Sequence, residues 1–469
     1  MKAYPKYKDS GVAWLEHVPE QWKMFSLGAL MVERKELNKN RNIDFVLSVT
    51  KDRGVIPYAE KGNIGNKASE DTTRYKIVRE DDIVLNSMNV IIGSVGISNY
   101  VGCLSPVYYV LTSRDANLYD PKYLNFYFQT KPFQRSLVRI GNGILAHRMR
   151  IPMEKLKREP FPLPSFPEQQ QISRYLDWQT SKINKFIKAK KKLIALLKEQ
   201  KQNIINEAVT KGINPDVAMK DSGVEWLGEI PAHWEVKRVK QCASKVSKGT
   251  TPSTEGRSIL ESGEVRFLKA ENLVAGNITD TPLCFIDEET NNILKRSQLQ
   301  KNDVLFVIAG ATLGKIAIVN EVILPANTNQ AIAFIRPNHS AESEYLALWL
   351  SSQSITSLIW LEAVQSAQPN LSMDSLGNFI IPTPPIAEQN EIVAFVHEET
   401  ALIDKTISCA EREIELIAEY RTRLVSDVVT GKVDIRSVEI PEFEPVEADL
   451  EAQDDEESED ELIAEGIEK

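Results

Sequence analysis

The sequence is poor in cysteine and histidine and contains no long apolar run. Its four cysteines and five histidines are widely scattered over 469 residues, with no CxxC pair and no metal-type spacing. We therefore expect reduced, structural cysteines and no metal site. Apolar runs such as Val304–Ala311 are far shorter than the roughly 20 residues that span a bilayer, and no signal peptide follows Met1. The expected location is the cytoplasm.

Recognisable catalytic motifs are also absent from the sequence. The closest match to a phosphate-binding loop, Gly310–Ile316, has one residue too few between its glycines and lacks the Ser or Thr that holds magnesium. The run Thr383–Ile386 lacks the leading polar residue and the aromatic of an adenine methyltransferase motif. No histidine belongs to an HExxH motif, and there is no serine elbow. We predict that the chain by itself is not an enzyme.

Negative charge is concentrated at the C-terminal end. Residues 439–469 hold 15 acids and one base, so they contribute −14 to a net charge of −10 and leave +4 on residues 1–438. A segment so acidic and so poor in apolar residues cannot bury enough surface to fold. We predict a disordered acidic tail over residues 436–469, following a mildly basic folded body.

Two blocks of residues occur twice, in the same order, in the two halves of the chain. The first comprises Asp9–Val12, Trp14, Leu15, Pro19 and Trp22, and it returns with identical internal spacing as Asp221–Val224, Trp226, Leu227, Pro231 and Trp234. The second comprises Glu168, Gln169, Ile172, Ile183, Val209 and Thr210, and it returns in the same way as Glu388, Gln389, Ile392, Ile403, Val429 and Thr430. The sequence therefore contains an internal repeat. In each copy, the two shared blocks flank a middle segment that differs between the copies.

The middle segments mix short β-type runs with glycine-rich turns and a few helices. The runs are Phe45–Val49, Ile83–Leu85 and Val107–Leu111 in the first half, and Val304–Ile308, Ile316–Val319 and Ala331–Ile335 in the second. This pattern is typical of compact α/β (α+β) domains, each of which ends in a proline-rich strip. We predict two globular domains, over residues 1–164 and 214–384.

Each predicted domain is followed by a predicted long helix, over 165–213 and 385–435. Apolar residues there recur in steps of three and four, the period of a coiled coil. The first seam is predicted at Ile172, Leu176, Gln179, Ile183, Phe186, Lys190, Leu193, Leu197, Gln200 and Ile204. Lys182–Lys201 holds eight lysines and one glutamate, whereas Glu398–Glu419 holds seven acids and two bases. This complementarity favours pairing of the two helices with each other, although a merely solvated face is the alternative for either run.

Together, these features resemble the specificity subunits of type I restriction-modification enzymes. The resemblance rests on two copies of Asp-Ser-Gly-Val-x-Trp-Leu before Pro and Trp, each followed by a variable domain and by Pro-x-x-x-Glu-Gln at the start of a long helix, and it covers residues 1 to about 435. It implies two target recognition domains, each reading one half of an asymmetric bipartite DNA site. It also implies that the helices form an antiparallel coiled coil with a pseudo-twofold internal repeat.

The resemblance also implies partners and cofactors. The partners would be double-stranded DNA, two modification subunits that methylate adenine N6, and restriction subunits that translocate and cut DNA. S-adenosylmethionine, ATP and magnesium would be bound by those partner subunits, and we expect no cofactor on this chain.

The predicted DNA contacts are polar and basic residues of loops, because Arg and Lys bind phosphates or guanine while Asn and Gln can pair with adenine. In the first domain they are Lys51, Arg53, Asn86, Asn89, Arg139, Asn142, His147, Arg148 and Arg150. In the second they are Lys248, Thr250, Thr251, Ser253, Lys269, Asn272, Thr312, Lys315, Asn329, Gln330, Gln365, Gln368 and Asn370. An ordinary surface or turn role is the alternative for each. The repeated residues Trp14, Trp22, Trp226 and Trp234 are predicted to be core or interface anchors.

Two other functions are compatible with parts of the sequence. One is a bivalent coiled-coil adaptor with two α/β ligand-binding domains and no DNA target. The net charge of the folded body, only +4, is compatible with it, because strongly DNA-binding domains are often more basic. Salt-sensitive binding to duplex DNA would argue against it. A self-contained restriction or modification enzyme is disfavoured by the missing catalytic motifs.

The repeat leads to a test of modularity. Replacement of residues 1–150 by the equivalent segment of another family member should change only one half of the recognised DNA sequence, because each domain would read its own half-site. The methylated sequence of the chimaeric system gives the result directly. A change in both halves would contradict modular recognition.

Overall fold

The computed structural model describes residues 2–51, 53–61, 68–115, 117–142, 149–363 and 370–446. The chain divides into two compact units. The first combines Met1–Lys192 with Ala410–Lys469, and the second is Leu193–Cys409. Each unit therefore contains one globular domain and a part of each long helix.

The globular part of the first unit is organised around an antiparallel sheet. Its strands are β1 (Tyr7–Asp9), β2 (His17–Pro19), β3 (Lys23–Ser26), β4 (Met31–Glu33), β5 (Leu47–Thr50), β6 (Gly54–Pro57), β7 (Lys76–Val78), β8 (Ile83–Asn86), β9 (Val95–Ile97), β10 (Gly102–Leu104), β11 (Tyr108–Ser113) and β12 (Pro160–Leu163). Its helices are α1 (Leu27–Leu30), α2 (Pro121–Phe128), α3 (Lys131–Leu137) and α4 (Met153–Leu156), and α5 (Phe166–Lys211) is the first long helix. The central sheet has the order β4-β11-β8-β9, and the pairs β1–β2, β3–β12, β5–β6 and β7–β10 surround it.

The globular part of the second unit repeats this plan with additions. Its strands are β13 (Met219–Asp221), β14 (Glu229–Pro231), β15 (Glu235–Arg238), β16 (Ala243–Lys248), β17 (Val265–Leu268), β18 (Leu273–Val274), β19 (Asn277–Ile278), β20 (Phe285–Ile286), β21 (Val304–Val307), β22 (Ile316–Ile318), β23 (Ala326–Thr328), β24 (Ile332–Pro337) and β25 (Ile380–Thr383). Its helices are α6 (Glu288–Ile293), α7 (Ser343–Leu350), α8 (Gln353–Ala363) and α9 (Met373–Asn378), and α10 (Ile386–Val429) is the second long helix. The central sheet β16-β24-β21-β22 matches that of the first unit, and a sheet β20-β17-β23 is added.

The predicted strands and the internal repeat are confirmed. All six β-type runs overlap observed strands, namely β5, β8, β11, β21, β22 and β24. The hairpin β1–β2 and its counterpart β13–β14 form from the first repeated block. The pair β3–β12, in which Phe25 lies opposite Phe161, corresponds to β15–β25, in which Lys237 lies opposite Ile381. The mixed composition of the middle segments thus yields the predicted α+β domains.

A glutamate at the start of each long helix is bonded to the repeated tryptophan of its domain. Trp22 Nε1 donates to Glu168 Oε1 at 3.1 Å, and Trp234 Nε1 donates to Glu388 Oε1 at 3.0 Å. Both tryptophans are fully buried. The Tyr4 hydroxyl donates to the same Glu168 oxygen at 2.8 Å, and burial together with this carboxylate raises the pKa of Tyr4 well above its usual value. The two repeated blocks therefore meet in space and form a junction between domain and helix.

A buried tyrosine in each domain receives the end of the other long helix. Tyr123 of α2 donates to the carbonyl oxygen of Val429, at the end of α10, at 3.1 Å. Tyr345 of α7 reaches the carbonyl oxygen of Val209, at the end of α5, at 3.4 Å. Full burial raises the pKa of both tyrosines, which keeps them protonated as donors. Each domain therefore holds the start of one long helix and the end of the other.

The long helices pack together in antiparallel orientation. In the first unit, Ile172 near the start of α5 shares a core with Val428 at the end of α10. In the second unit, Val209 at the end of α5 shares a core with Ile392 near the start of α10. This arrangement is the antiparallel coiled coil that the family resemblance implied. In the described part of the chain, no helix has an apolar stretch long enough to cross a membrane.

The complementary charges of the two helices meet within each unit. Lys190 Nζ lies 2.5 Å from Glu413 Oε2 in the first unit, and Lys201 Nζ lies 2.6 Å from Asp404 Oδ1 in the second. The predicted electrostatic pairing of the lysine-rich and acidic runs is confirmed at these two positions. Exposed pairs of this kind contribute little to stability, so their main effect is on the choice of partner helix.

The buried face of α5 departs from the predicted seam beyond the middle of the helix. Leu193 is 38% exposed whereas its neighbour Ile194 is buried. The buried isoleucines of this helix are evenly spaced along it, at Ile172, Ile183, Ile194 and Ile205. Their spacing of eleven residues corresponds to about 3.67 residues per turn, close to the 3.6 of an α-helix, whereas a seam with a period of about 3.5 would drift off the contact face. Phe186, Leu193 and Gln200 are therefore wrong as seam positions.

The acidic tail was predicted to begin too early. Residues 436–446, which we call the C-terminal strap, form hydrogen bonds with Gln171, Ser181 and Asn184 of α5. These contacts hold the strap backbone against the helix, so the strap is not disordered. The remainder of the predicted tail, 447–469, lies outside the described residues.

The Glu168 junction yields a stability prediction. Glu168→Ala removes the acceptor of two buried donors, the Trp22 indole and the Tyr4 hydroxyl, and each orphaned donor should cost about 1–3 kcal/mol. Glu168→Gln keeps an acceptor oxygen and should cost less. Urea unfolding followed by tryptophan fluorescence measures both, with the exposed Glu199→Ala as control. Equal unfolding midpoints for Glu168→Ala and the control would contradict this role.

Candidate nucleic-acid interface

In the second unit, many of the predicted DNA contacts lie at one end of the central sheet. The strands β16 and β21 end there and β24 begins there, since Lys248 and Phe306 both lie opposite Ala333. β22 begins at the same end. The ends of the parallel strands β17 and β23 reach it as well, where the Asn329 amide donates to the Leu268 carbonyl oxygen at 3.2 Å. We call this end of the sheet the second rim.

Separate loops contribute the polar side chains of the second rim. Lys248, Thr250, Thr251 and Ser253 follow β16; Lys269 follows β17; Thr312 and Lys315 connect β21 to β22; Asn329 and Gln330 connect β23 to β24; and Asn370 pairs with Ala309 just after β21. Lys248, Lys315 and Gln330 are exposed, and Lys269 is partly exposed. Residues that are far apart in sequence thus present cations and amides on one surface.

Gly249 allows two of these loops to touch. Its amide donates to the Ile332 carbonyl oxygen at 3.0 Å, and the Thr250 amide donates to that of Thr328 at 3.1 Å. A Cβ at Gly249 would lie 2.1 Å from the carbonyl oxygens of Thr328 and Asn329. Only glycine fits at this distance, so the loop after β16 is held against the loop that carries Asn329.

Arg296 is a rim residue that the sequence analysis missed. Its Nη2 lies 3.4 Å from Thr250 Oγ1, and its carbonyl oxygen accepts from Lys245 Nζ at 2.7 Å. Burial and the nearby cation of Arg336 lower the pKa of Lys245. The sequence signal at this place is only the pair Lys295 and Arg296, which resembles ordinary surface charge. The structure therefore adds one more cation to the second rim.

The position of Asn272 argues against a contact with DNA. It is fully buried, and its Oδ1 accepts from the Lys269 amide at 2.8 Å. Its Nδ2 donates to the carbonyl oxygens of Thr279 and Pro282 at 3.0 and 2.8 Å. The side chain is thus committed to the turn that carries Lys269, which is a frequent use of asparagine in turns.

The equivalent end of the central sheet in the first unit, the first rim, has different side chains. The Ile151 amide donates to the Ser87 carbonyl oxygen at 2.9 Å, as the Leu371 amide donates to that of Ile308 at 2.8 Å in the second unit. The first rim carries Lys51, Asn86, Asn89, Asn142 and Arg150. Of these, Lys51, Asn142 and Arg150 are exposed. The two rims are therefore matched in backbone and different in chemistry.

Two predicted contacts of the first domain are bound to carboxylates. Arg53 Nη2 lies 2.6 Å from Glu60 Oε2, and Arg139 Nη2 lies 2.5 Å from Glu159 Oε2. Glu159 is buried, which raises its pKa, while Arg139 opposes that rise. Arg139 compensates a buried charge and is costly to move, whereas the exposed pair of Arg53 can open at little cost.

The remaining predicted contacts lie outside the described residues. They are His147 and Arg148 within 143–148, and Gln365 and Gln368 within 364–369. Described residues flank both gaps at the rims. Asn142 and Arg150 exchange backbone hydrogen bonds of 2.9 and 3.0 Å on either side of the first gap, and Asn370 follows the second.

The repeated tryptophans serve as anchors in most positions. Trp22 and Trp234 are fully buried, and Trp14 packs against the rings of Tyr127 and Phe133. Trp226 is 38% exposed and stacks on a buried tryptophan of α7 with ring centroids 6.2 Å apart. Their prediction as anchors is confirmed for the first three, and Trp226 is anchored on one face only.

Comparison with known proteins identifies the family. The type I restriction modification DNA specificity domain matches residues 19–212 and, a second time, residues 231–416. The chain belongs to this family. The two matches coincide with the two copies of the internal repeat, so each half of the specificity subunit contains one such domain.

Similar proteins carry the same description over most of the chain. The specificity subunit assigned to the type I restriction enzyme MjaX of Methanocaldococcus jannaschii is 26% identical over 438 residues, which are 90% of this chain and 95% of that protein. The EcoBI specificity subunit of Escherichia coli is 26% identical over 253 residues, 52% of each chain. A structure solved for the assembly and conformational transition of the type I R-M system has a TM-score of 0.64 at 14% identity, over 89% of this chain and 99% of that one. The last likeness shows a shared fold.

Membership of this family indicates what kind of protein the chain is. A specificity subunit recognises DNA sequence and is not itself catalytic, and the methylase and restriction subunits of the same system are its partners. The alternative of an adaptor without a DNA target is not favoured. Within the described ranges, no three His, Cys, Asp or Glu side chains converge to hold a metal ion.

The close approach at Gly249 yields a prediction. Gly249→Ala should push the loop after β16 away from Asn329 and lower the thermal unfolding midpoint of the protein, since overpacking of this kind costs about 1–3 kcal/mol. DNA binding by the assembled complex should weaken in the same variant because the rim loses its shape. Ser258→Ala, at an exposed position further along the same connection between β16 and β17 and outside the predicted contacts, is the matched control. An unaltered midpoint and affinity for Gly249→Ala would show that the loops are not held in this way.

Proposed function

We propose that the specificity subunit reads an asymmetric, bipartite DNA sequence, with the first rim on one half and the second rim on the other. The observation that carries this proposal is the convergence of Lys248, Lys269, Lys315, Asn329 and Gln330, from separate loops, on one end of a sheet. If these residues served only to make the protein soluble or to form buried polar networks, they would not need to lie on one surface.

The chemistry of the second rim suits duplex DNA. The exposed lysines can neutralise phosphates and fix the position of the domain, and this contribution depends on salt but not on sequence. Gln330 is exposed and can form two hydrogen bonds with adenine, whereas Asn329 Oδ1 already accepts from the Ala331 amide at 3.2 Å. Gln330 is therefore the residue of this loop best suited to read a base.

The difference between the rims supports an asymmetric recognition sequence. Both rest on sheets of the same strand order, so each would approach DNA with the same part of its fold. The first rim offers Asn86, Asn89 and Arg150 where the second offers Thr312, Lys315 and Asn370. Two domains with different contacts multiply their discrimination when both must bind one duplex.

The pairing of the long helices supports two modification subunits per chain. Each long helix begins in one domain and ends in the other, and the Tyr123–Val429 and Tyr345–Val209 contacts are equivalent. A repeated helical surface of this kind offers the same partner two equivalent places. S-adenosylmethionine, ATP and magnesium would be held by those partners and by the restriction subunits, not by this chain.

The first experiment is a genome-wide map of N6-methyladenine in the native host, with and without the gene for this chain. Loss of one bipartite methylated sequence on deletion, and its return on complementation, is the expected result. Complementation with Gln330→Ala should relax or change only the half-site of the second domain. A methylation map that does not respond to deletion would count against the proposed function.

Lysines of the second rim should contribute mainly to phosphate binding. Lys315→Gln, and separately Lys248→Gln, should weaken binding of the assembled complex to cognate and unrelated duplexes alike and reduce the slope of log affinity against log salt by about 1. Fluorescence anisotropy with labelled duplexes over a salt series measures both effects. The exposed Lys301→Gln, just before the start of β21 and so at the opposite end of the central sheet, is the control for loss of one positive charge. A loss confined to the cognate duplex would instead assign Lys315 or Lys248 to base reading.

A further inference from the structure

The C-terminal strap follows the first long helix in the direction of that helix. Gln171 Nε2 donates to the carbonyl oxygen of Val438 at 2.8 Å, and Asn184 Nδ2 donates to that of Val446 at 2.7 Å. Between these points, Ser181 Oγ bonds with the strap backbone at 3.0 and 2.9 Å. Three side chains along α5 thus direct the strap toward the lysine-rich middle of the helix.

Opposite charges already face each other along the described strap. Trp178, Lys182 and Lys185 of α5 line a groove of about 330 Å³ together with Glu442 and Glu444 of the strap. Lys182 Nζ lies 4.8 Å from the centre of the Trp178 ring. The groove therefore combines an apolar floor with lysines that face acidic residues.

Four lysines form one stripe on α5. Lys182, Lys185, Lys188 and Lys192, which we call the lysine stripe, follow each other at spacings of three, three and four residues, so they share one face of the helix. Lys190, outside the stripe, pairs with an acid of α10. Among the described residues, no ion pair occupies Lys185, Lys188 or Lys192. Lys188 and Lys192, which lie beyond the described strap, are therefore an uncompensated end of the stripe.

We propose that the acidic segment 447–469 binds the lysine stripe of its own chain and shields it from duplex DNA. The segment has 23 residues, with 12 acids and one base. It starts where Val446 is bonded to Asn184, about one helical turn before Lys188. The distance along α5 from Asn184 to Lys192 is roughly 12 Å, whereas an extended segment of this length spans about 75 Å. Length therefore does not limit the contact.

Tethering makes this contact efficient. A short connection gives the acidic segment an effective concentration in the millimolar range at the stripe, far above that of any free polyanion in dilute solution. A coiled coil with an open lysine stripe would attract phosphates of any DNA sequence, and such binding competes with the recognition of specific sites. An intramolecular polyanion removes this competition without touching either rim. The shielding role rests on the DNA recognition described above, whereas the contact itself does not.

Lysine acylation tests the contact without DNA. In a chain that ends at Val446 and so keeps the strap, Lys185, Lys188 and Lys192 should react several-fold faster than in the full chain at low salt, as measured by mass spectrometry. Lys295, in the second unit, is the internal control and should react equally in both. The difference should vanish at about 1 M salt, where the Debye length is about 3 Å. Equal acylation of the stripe in both chains at low salt would overturn the proposal.

Two further variants test the electrostatic origin and the shielding. A full-length chain whose tail acids are all replaced by Asn or Gln should behave like the truncated chain, and protection that survives this replacement would refute an electrostatic contact. The truncated chain should bind a mixed-sequence duplex more tightly than the full chain, and Lys188→Gln with Lys192→Gln should abolish that gain. A protected stripe with no change in duplex affinity on truncation would refute the shielding role alone.

Discussion

The antiparallel pairing of the two long helices depends on what happens at their ends. Neither helix can bury its apolar face alone, and side-chain contacts along the helix pair would by themselves tolerate a slip by one turn. The domains prevent such a slip, because each is bonded to the start of one helix and to the end of the other. In the first unit, Glu168 accepts from Trp22 while Tyr123 donates to Val429. A slip would orphan buried polar groups at both ends, and this cost fixes the register.

The same fold supports different rims because the sheet beneath them is stabilised independently of the loops. Asp82 and Asp303 occupy equivalent buried positions before β8 and β21, and each binds an arginine in a two-pronged ion pair at 2.7–2.9 Å. The arginines come from different strands: Arg34 follows β4, whereas Arg336 lies in β24. A buried carboxylate needs a partner but does not specify which strand supplies it. The middle segments of the two repeats can therefore diverge in sequence while the buried aspartate beneath each rim keeps an arginine partner.

The sequence predicts those features of the fold that depend on residues close together in the chain. Repeated blocks and alternating apolar runs located the strands and the long helices, because periodicity reports burial directly. The exact seam was missed because Leu193 and Ile194 are equally apolar, and only the pitch of the packed helices decides which is buried. Asn272 was misjudged because exposure and hydrogen-bond partners are set by the fold. Arg296 was overlooked because its proximity to Thr250 joins segments that are distant in sequence.

The strap departs from the twofold symmetry of the repeat, and the side chains of α5 explain its choice of helix. Alignment of the second repeated block relates Gln171, Ser181 and Asn184 of α5 to Glu391, Ala401 and Asp404 of α10. Alanine cannot replace the hydroxyl that bonds the strap backbone on both sides, and a carboxylate cannot donate to a carbonyl oxygen as the Gln171 and Asn184 amides do. The acidic character of α10 would also repel the acidic segment that follows the strap. α5 has neutral donors and a lysine stripe, whereas α10 has acids or alanine at the matching places. Of the two long helices, α5 is therefore the one suited to bind the strap and its acidic extension.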